Sequence, residues 1–110
     1  MALLEKTRIE VYLPDLPTVA YQKLLNAFAR EFTYSFGGCT VNRGLDGNYL
    51  SRIGVQTPDR INLIYTDIPA ALSTNFQLVA AYAGELKQTA FASLSEEVVL
   101  VVVQQVYHTV

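Results

Sequence analysis

Few residues in this sequence are equipped for chemistry, and they are scattered. Cys39 and His108 are the sole cysteine and the sole histidine. A cysteine nucleophile needs a neighbouring base and an electropositive setting. Cys39 sits between Gly38 and Thr40, where a small structural residue on a strand is expected. His108 lies two residues from the C-terminus, where fraying is expected. One histidine without clustered carboxylates builds no zinc site, so no metal is expected. Asp59, Asp67, Glu96 and Glu97 fall at strand ends and read as solvated caps; acid–base work would need two of them in one cleft. Tyr12, Tyr49, Tyr65, Tyr82 and Tyr107 read as core or rim residues. The most distinctive string is Phe36-Gly37-Gly38-Cys39-Thr40. A glycine loop that cradles phosphate follows a strand and opens a helix. These glycines follow a helix and open a strand, so they read as a helix C-cap. No catalytic signature emerges.

The elements that must position these residues are easier to read. Arg8 to Leu13 alternates polar and apolar residues, as a half-buried strand does, and Pro14 stops it. Asp15-Leu16-Pro17-Thr18 is a helix start. Tyr21, Leu24, Leu25, Phe28, Phe32 and Phe36 then recur at spacings of three and four, with Lys23, Asn26 and Arg30 opposite, which predicts an amphipathic helix ended by Gly37-Gly38. Cys39 to Arg43 is a second strand, and Gly44 to Asn48 reads as a turn. Tyr49 to Ile53 either extends that strand as a hairpin arm or forms an extra one. Gly54 to Pro58 reads as a further break. Asp59 to Asp67 is the third strand, with Ile61, Leu63 and Tyr65 on one side. A second helix is expected from about Leu72 to Phe91, with Phe76, Val79, Ala80, Ala83, Leu86 and Ala90 inward. Glu97 to Thr109 is the last strand.

The order β-α-β-β-α-β is the split βαβ arrangement. It predicts an α+β ferredoxin-like plait: a four-stranded antiparallel sheet with two helices on one face, and room for an extra hairpin arm. The chain has 110 residues, about half of them apolar, enough for a single domain with a real core. Its formal net charge is −2, with no basic cluster, which argues against nucleic acid. No apolar run reaches the ~18 residues of a membrane span. A cytoplasmic protein without a cofactor is expected.

Two surfaces follow from strand parity. The last strand is apolar on both sides through Val103, as strands covered on both faces are. Val99, Val101 and Val103, with Ile64, are therefore expected at a homodimer interface. If Ile9, Val11 and Leu13 face the helices, then Arg8, Glu10 and Tyr12 face away. Assigning Asn62 and Thr66 to that same side gives one polar, ligand-facing patch of Arg8, Glu10, Tyr12, Asn62 and Thr66, to which Tyr49 is added.

The order of elements, with the helix ending in Phe36-Gly37-Gly38-Cys39-Thr40, the Gly-rich turn and the aromatic at Tyr49, resembles the dimeric α+β-barrel group of ferredoxin-like proteins. It also looks like small bacterial proteins of unknown function. The resemblance implies dimers that pack sheet against sheet, in a group containing cofactor-free monooxygenases, haem-handling enzymes and plain binding proteins. It transfers no catalytic residue, and His108 on a terminal strand departs from the haem-handling pattern. Two readings of function stand. One is a homodimeric small-molecule-binding or interaction module. The other is a small cofactor-free enzyme acting on an apolar organic substrate between sheet and helices. In both, a small organic ligand and a second copy are the expected partners.

Overall fold

The computed structural model describes residues 2–50, 52–94 and 99–110. Its elements are β1 (Leu3–Pro14), α1 (Val19–Phe36), β2 (Thr40–Leu50), β3 (Gln56–Ile68), α2 (Leu72–Leu94) and β4 (Leu100–Thr109). The strands form one antiparallel sheet in the order β2-β3-β1-β4. This is the ferredoxin-like α+β plait. The part of the last strand expected at Glu97 and Val98 lies outside the described residues.

Local chemistry sets the ends of α1. The Thr18 hydroxyl accepts from the Tyr21 amide at the N-cap, and Gly37 closes the helix at φ 90°, with its N–H bonded to the Thr33 carbonyl. The helix buries Tyr21, Leu24, Leu25, Phe28 and Phe32. They meet Ile9, Val11 and Leu13 of β1, Ile64 of β3, and Val79, Leu86 and Ala90 of α2 in one core. Thr7, Asn62 and Thr66 are buried on this same sheet face. The α2 stripe is narrower than its spacing suggests: Phe76 and Ala80 are exposed, while Tyr82 packs against the core and edge-on to Phe36.

The β2–β3 hairpin departs from expectation. Gly44 to Asn48 is not a turn; β2 runs through it, and the chain reverses after Leu50. The pairing with β3 shifts between Asn42 and Leu45, which marks a bulge. Gly44 takes φ 69°, the left-handed conformation that a bulge residue needs. Gly47 serves closeness instead, since a Cβ there would come within 3.2 Å of the Ile61 side chain. Residues 56–60 pair only with β2, so the hairpin projects past the body of the sheet. At the opposite corner Leu3 to Lys6 pair only with β4. These two ribbons stretch the molecule to 48 Å along its long axis. The radius of gyration, 15.2 Å, accordingly exceeds the ~13 Å of a compact chain of this length. No helix among the described residues is long and apolar enough to cross a membrane.

Candidate functional site

Both helices lie on one side of the sheet, so among the described residues the other side has no layer over it. The register decides which side chains reach it. Residues directly opposite in an antiparallel pair share a face. Arg8 stands opposite Asp67 and Gln104, Glu10 opposite Tyr65 and Val102, and Tyr12 opposite Leu63 and Leu100. These residues, with His108 opposite Leu4, form the open face.

Two polar clusters occupy its centre. In the first, Arg8 grips Asp67 with two parallel bonds, Nε to Oδ1 at 2.7 Å and the terminal nitrogen to Oδ2 at 3.0 Å. His108 Nε2 lies 2.7 Å from Asp67 Oδ2, and the Arg8 guanidinium sits 4.4 Å from the centroid of the Tyr65 ring. In the second, Glu10 accepts from the Gln104 amide at 2.5 Å and from the Tyr12 hydroxyl at 3.2 Å. Glu10 is only 8% exposed although no layer covers it, because its own sheet neighbours close around it. Leu63, Leu100 and Val102 frame these clusters with apolar surface; Leu100 is 55% exposed.

The electrostatics follow the pairing. Arg8, then burial opposing it, then His108, set the Asp67 carboxyl below the usual carboxylate range, and the Arg8 guanidinium is raised by the same bond. Burial, reinforced by the Glu10 charge, pushes the Tyr12 phenol up. Asp67 has a lower pKa folded than unfolded. Its contribution to stability is therefore complete above the unfolded value and is lost as pH falls through the folded one. Asp67→Asn is expected to flatten the acid limb of a pH–stability curve below about pH 4. Urea titrations of both proteins across pH 2–7 read this directly. An unchanged acid limb would contradict the assignment.

The structure divides the expected ligand patch. Arg8, Glu10 and Tyr12 are on the open face. Asn62 and Thr66 are on the helix face, because they stand opposite Leu13 and Ile9. Asn62 donates to Asp15 Oδ1 at 3.1 Å and to the Tyr21 hydroxyl, and accepts the Gly44 amide at 2.8 Å. Thr66 donates to the Gly38 carbonyl at 2.7 Å. Both act as ties between sheet and helix layer. The side chain of Tyr49 lies outside the described residues; its backbone pairs with Thr57.

The expected dimer residues change faces in the same way. Val101 and Val103 stand opposite Val11 and Ile9 and pack against the core, Val99 is buried within it, and Ile64 is fully buried beside α1. Their open-face counterparts are Leu100, Val102 and Val106 on β4 and Leu63 on β3. The physical reason is that β3 and β4 carry apolar residues on both parities. On β3 the inward parity even looks polar, since Asn62 and Thr66 find partners in the helix layer.

Asp67, Gln104 and His108 enter the site without having been singled out for it. Asp67 is not a solvated cap, and His108 is held by a carboxylate rather than frayed. The signal that locates them is the β1–β4 register, which sequence parity alone does not supply. Cys39 behaves as a small structural residue, its thiol 3.8 Å from the Ala29 carbonyl. Among the described residues no group of three His, Cys, Asp or Glu side chains could hold a metal ion.

Two recesses border these elements. One, of about 240 Å³, is lined by Gly38, Thr40, Tyr65 and Asp67 among others, at the rim of the open face. The other, about 290 Å³, lies between the helices over Phe28 and Leu86, flanked by Glu31, Tyr82 and Glu85. There Tyr82 donates to Glu31 at 3.0 Å, and burial together with that carboxylate pushes its phenol well up.

No family model and no curated protein sequence matches the chain. Solved structures do. CutA1 from Oryza sativa superposes with a TM-score of 0.58 at 16% identity, over 94% of this chain and 81% of that one. The divalent cation tolerance protein CutA1 from Thermus thermophilus gives 0.56 at 16%, over 91% and 82%. CPII, a nitrogen regulatory PII-like protein from Thiomonas intermedia bound to ADP, AMP and bicarbonate, gives 0.56 at 17%, over 99% and 100%. At these identities the likeness is one of fold. Of the expected resemblance, the ferredoxin-like α+β architecture is what these structures share with the chain; they are CutA1 and PII-like proteins.

Proposed function

We propose that this protein is a homodimeric small-molecule-binding module in which two open sheet faces pack against each other. The observation that carries this reading is the state of the open face itself. Its carboxylates already hold partners: Asp67 is paired with Arg8 and bonded to His108, and Glu10 is hydrogen-bonded by Gln104 and Tyr12, while Lys6, opposite Val106, lies out on the ribbon that pairs only with β4. An unpaired charge would resist burial by several kcal/mol, on the order of what a mutational loss of one partner costs. A hydrogen-bonded network framed by Leu63, Leu100 and Val102 leaves neither carboxylate without a partner before a second copy arrives. Symmetric association of like surfaces is the common solution for soluble proteins.

The ligand is placed in the recess at the rim, where Tyr65 and Asp67 connect it to the Arg8 cluster. A second copy laid on the open face would border the Tyr65 and Asp67 side of that recess. That one protein of the same fold, CPII, is bound to ADP, AMP and bicarbonate supports small-molecule binding as the class of function. The enzyme reading asked for a closed cavity between sheet and helices, with convergent polar groups. The polar groups that converge there, Asn62 and Tyr21, are bonded to each other within the packed layer.

Native mass spectrometry of the purified protein tests both parts at once. The expected spectrum shows an even number of subunits with a small-molecule adduct that gentle activation removes. A monomer free of adduct would overturn the reading.

A further inference from the structure

Strands β2 and β4 close the two sides of the sheet. Among the described residues each carries a row of backbone N–H and C=O groups with no strand beyond it, a template for another extended chain. Natural sheets blunt such edges with bulges, charges, glycine or proline. The β2 edge is blunted in this way: it has a bulge after Asn42, the charges of Arg43 and Asp46, and glycines at 44 and 47. The β4 edge is not. Its ten residues, Leu100 to Thr109, contain no Lys, Arg, Asp, Glu, Gly or Pro. Its register with β1 runs unbroken from Leu100 to Thr109, so no bulge twists the edge away.

We propose that the outer edge of β4 pairs antiparallel with β4 of a second copy, about a two-fold axis at Gln104, joining the two four-stranded sheets into one sheet of eight. The partner is a second copy, since symmetric self-association is the common arrangement of soluble proteins and the strand carries no Lys, Arg, Asp or Glu to oppose it. β4 opposite itself brings no like charges together. The axis at Gln104 sets Val102 opposite Val106 and Leu100 opposite His108 on the open face. On the helix side it sets Val103 opposite Gln105 and Val101 opposite Tyr107. Moving the axis to Gln105 would place Val102 against His108 and Gln104 against Val106, separating the apolar partners. A two-fold axis normal to the sheet keeps both helix layers on one side and both open faces on the other. The edge contact therefore adds to the face contact, and the two together describe a tetramer with dihedral symmetry.

Amide hydrogen exchange on the wild-type chain, followed residue by residue by NMR, tests the edge. In a strand paired on one side only, alternate amides are protected. Edge pairing predicts protection of both alternating sets in β4, with the outward set losing about tenfold or more of its protection on dilution. Cross-linking tests the register. Two single variants, Val103→Cys and Gln105→Cys, each in a Cys39→Ser background, are mixed and mildly oxidised. A covalent heterodimer is expected from the mixture and no covalent dimer from either variant alone. These two side chains lie on the helix side, where face-to-face packing cannot join them. An outward set that exchanges as fast as loop amides at high concentration overturns the proposal. So does a folded mixture that forms no heterodimer.

Discussion

Replacing Asn62 with leucine is expected to destabilise the protein by about 3 kcal/mol, lowering its thermal midpoint by on the order of 10–20 °C. Asn62 is 1% exposed and makes three bonds, to Asp15, Tyr21 and the Gly44 amide. Leucine matches its size but none of its polarity. The Tyr21 hydroxyl, whose residue is fully buried in the core, then loses its partner, and so does the Gly44 amide. Each orphaned buried group costs about 1–3 kcal/mol. Gly44 is the left-handed residue of the β2 bulge, so the same side chain also fixes where the hairpin bends. Tyr21→Phe in the leucine background should recover part of the loss, because it removes one of the two orphans. Calorimetry of the wild type, the two single variants and the double variant reads this cycle. Strict additivity would show that the Asn62–Tyr21 bond contributes nothing.

Lysine at Val102 is expected to halve the mass of the particle while leaving it folded; lysine at Val101 is expected to destabilise the fold by a few kcal/mol. The two positions are neighbours in sequence and lie on opposite faces. Val101 packs against the core beneath the helix layer, and no carboxylate stands opposite it, since its β1 partner is Val11. An unpaired ammonium at this half-buried position faces a desolvation cost of a few kcal/mol, a large share of the stability of a small domain. Val102 stands opposite Glu10 on the open face. In a lone subunit the lysine can reach that carboxylate and water. In a face-to-face dimer its bulk and charge are shut into the seam beside Leu100, where close packing of the two faces leaves it no water. Circular dichroism melts report the stability, and light scattering reports the mass. A Val101 variant that keeps its stability and dissociates, with a Val102 variant that does neither, would exchange the faces assigned here.

The contrast between these two residues shows what sequence can specify. The helices were legible because α1 repeats large apolar residues at three and four and is bracketed by Thr18 and Gly37, whose chemistry makes caps. The strand order followed from the element order. Facing was legible only for β1, where one parity is apolar and the other charged. In β4, valine occupies both parities, so no period distinguishes the core side from the open side. In β3 the inward polar residues mimic a solvated face, because the groups that satisfy them, the Tyr21 hydroxyl and the Gly38 carbonyl, lie in other elements. The bulge at Gly44 was hidden for a related reason. Glycine and asparagine mark turns and bulges alike, and only the long pairing with β3 distinguishes them. Half of the open-face network was therefore visible, as Arg8, Glu10 and Tyr12. Its other half, Asp67, Gln104 and His108, is supplied by register.

On the proposed reading two copies meet through the open sheet face, where Asp67 and Glu10 are already hydrogen-bonded within each subunit. Sedimentation velocity of the wild type and the Val102→Lys variant, side by side at micromolar concentration, tests it most directly. A wild-type particle of two or more subunits, falling to half its mass in a variant with native circular dichroism, is the predicted result. A monomeric wild type, or a variant that keeps the wild-type mass, would contradict it.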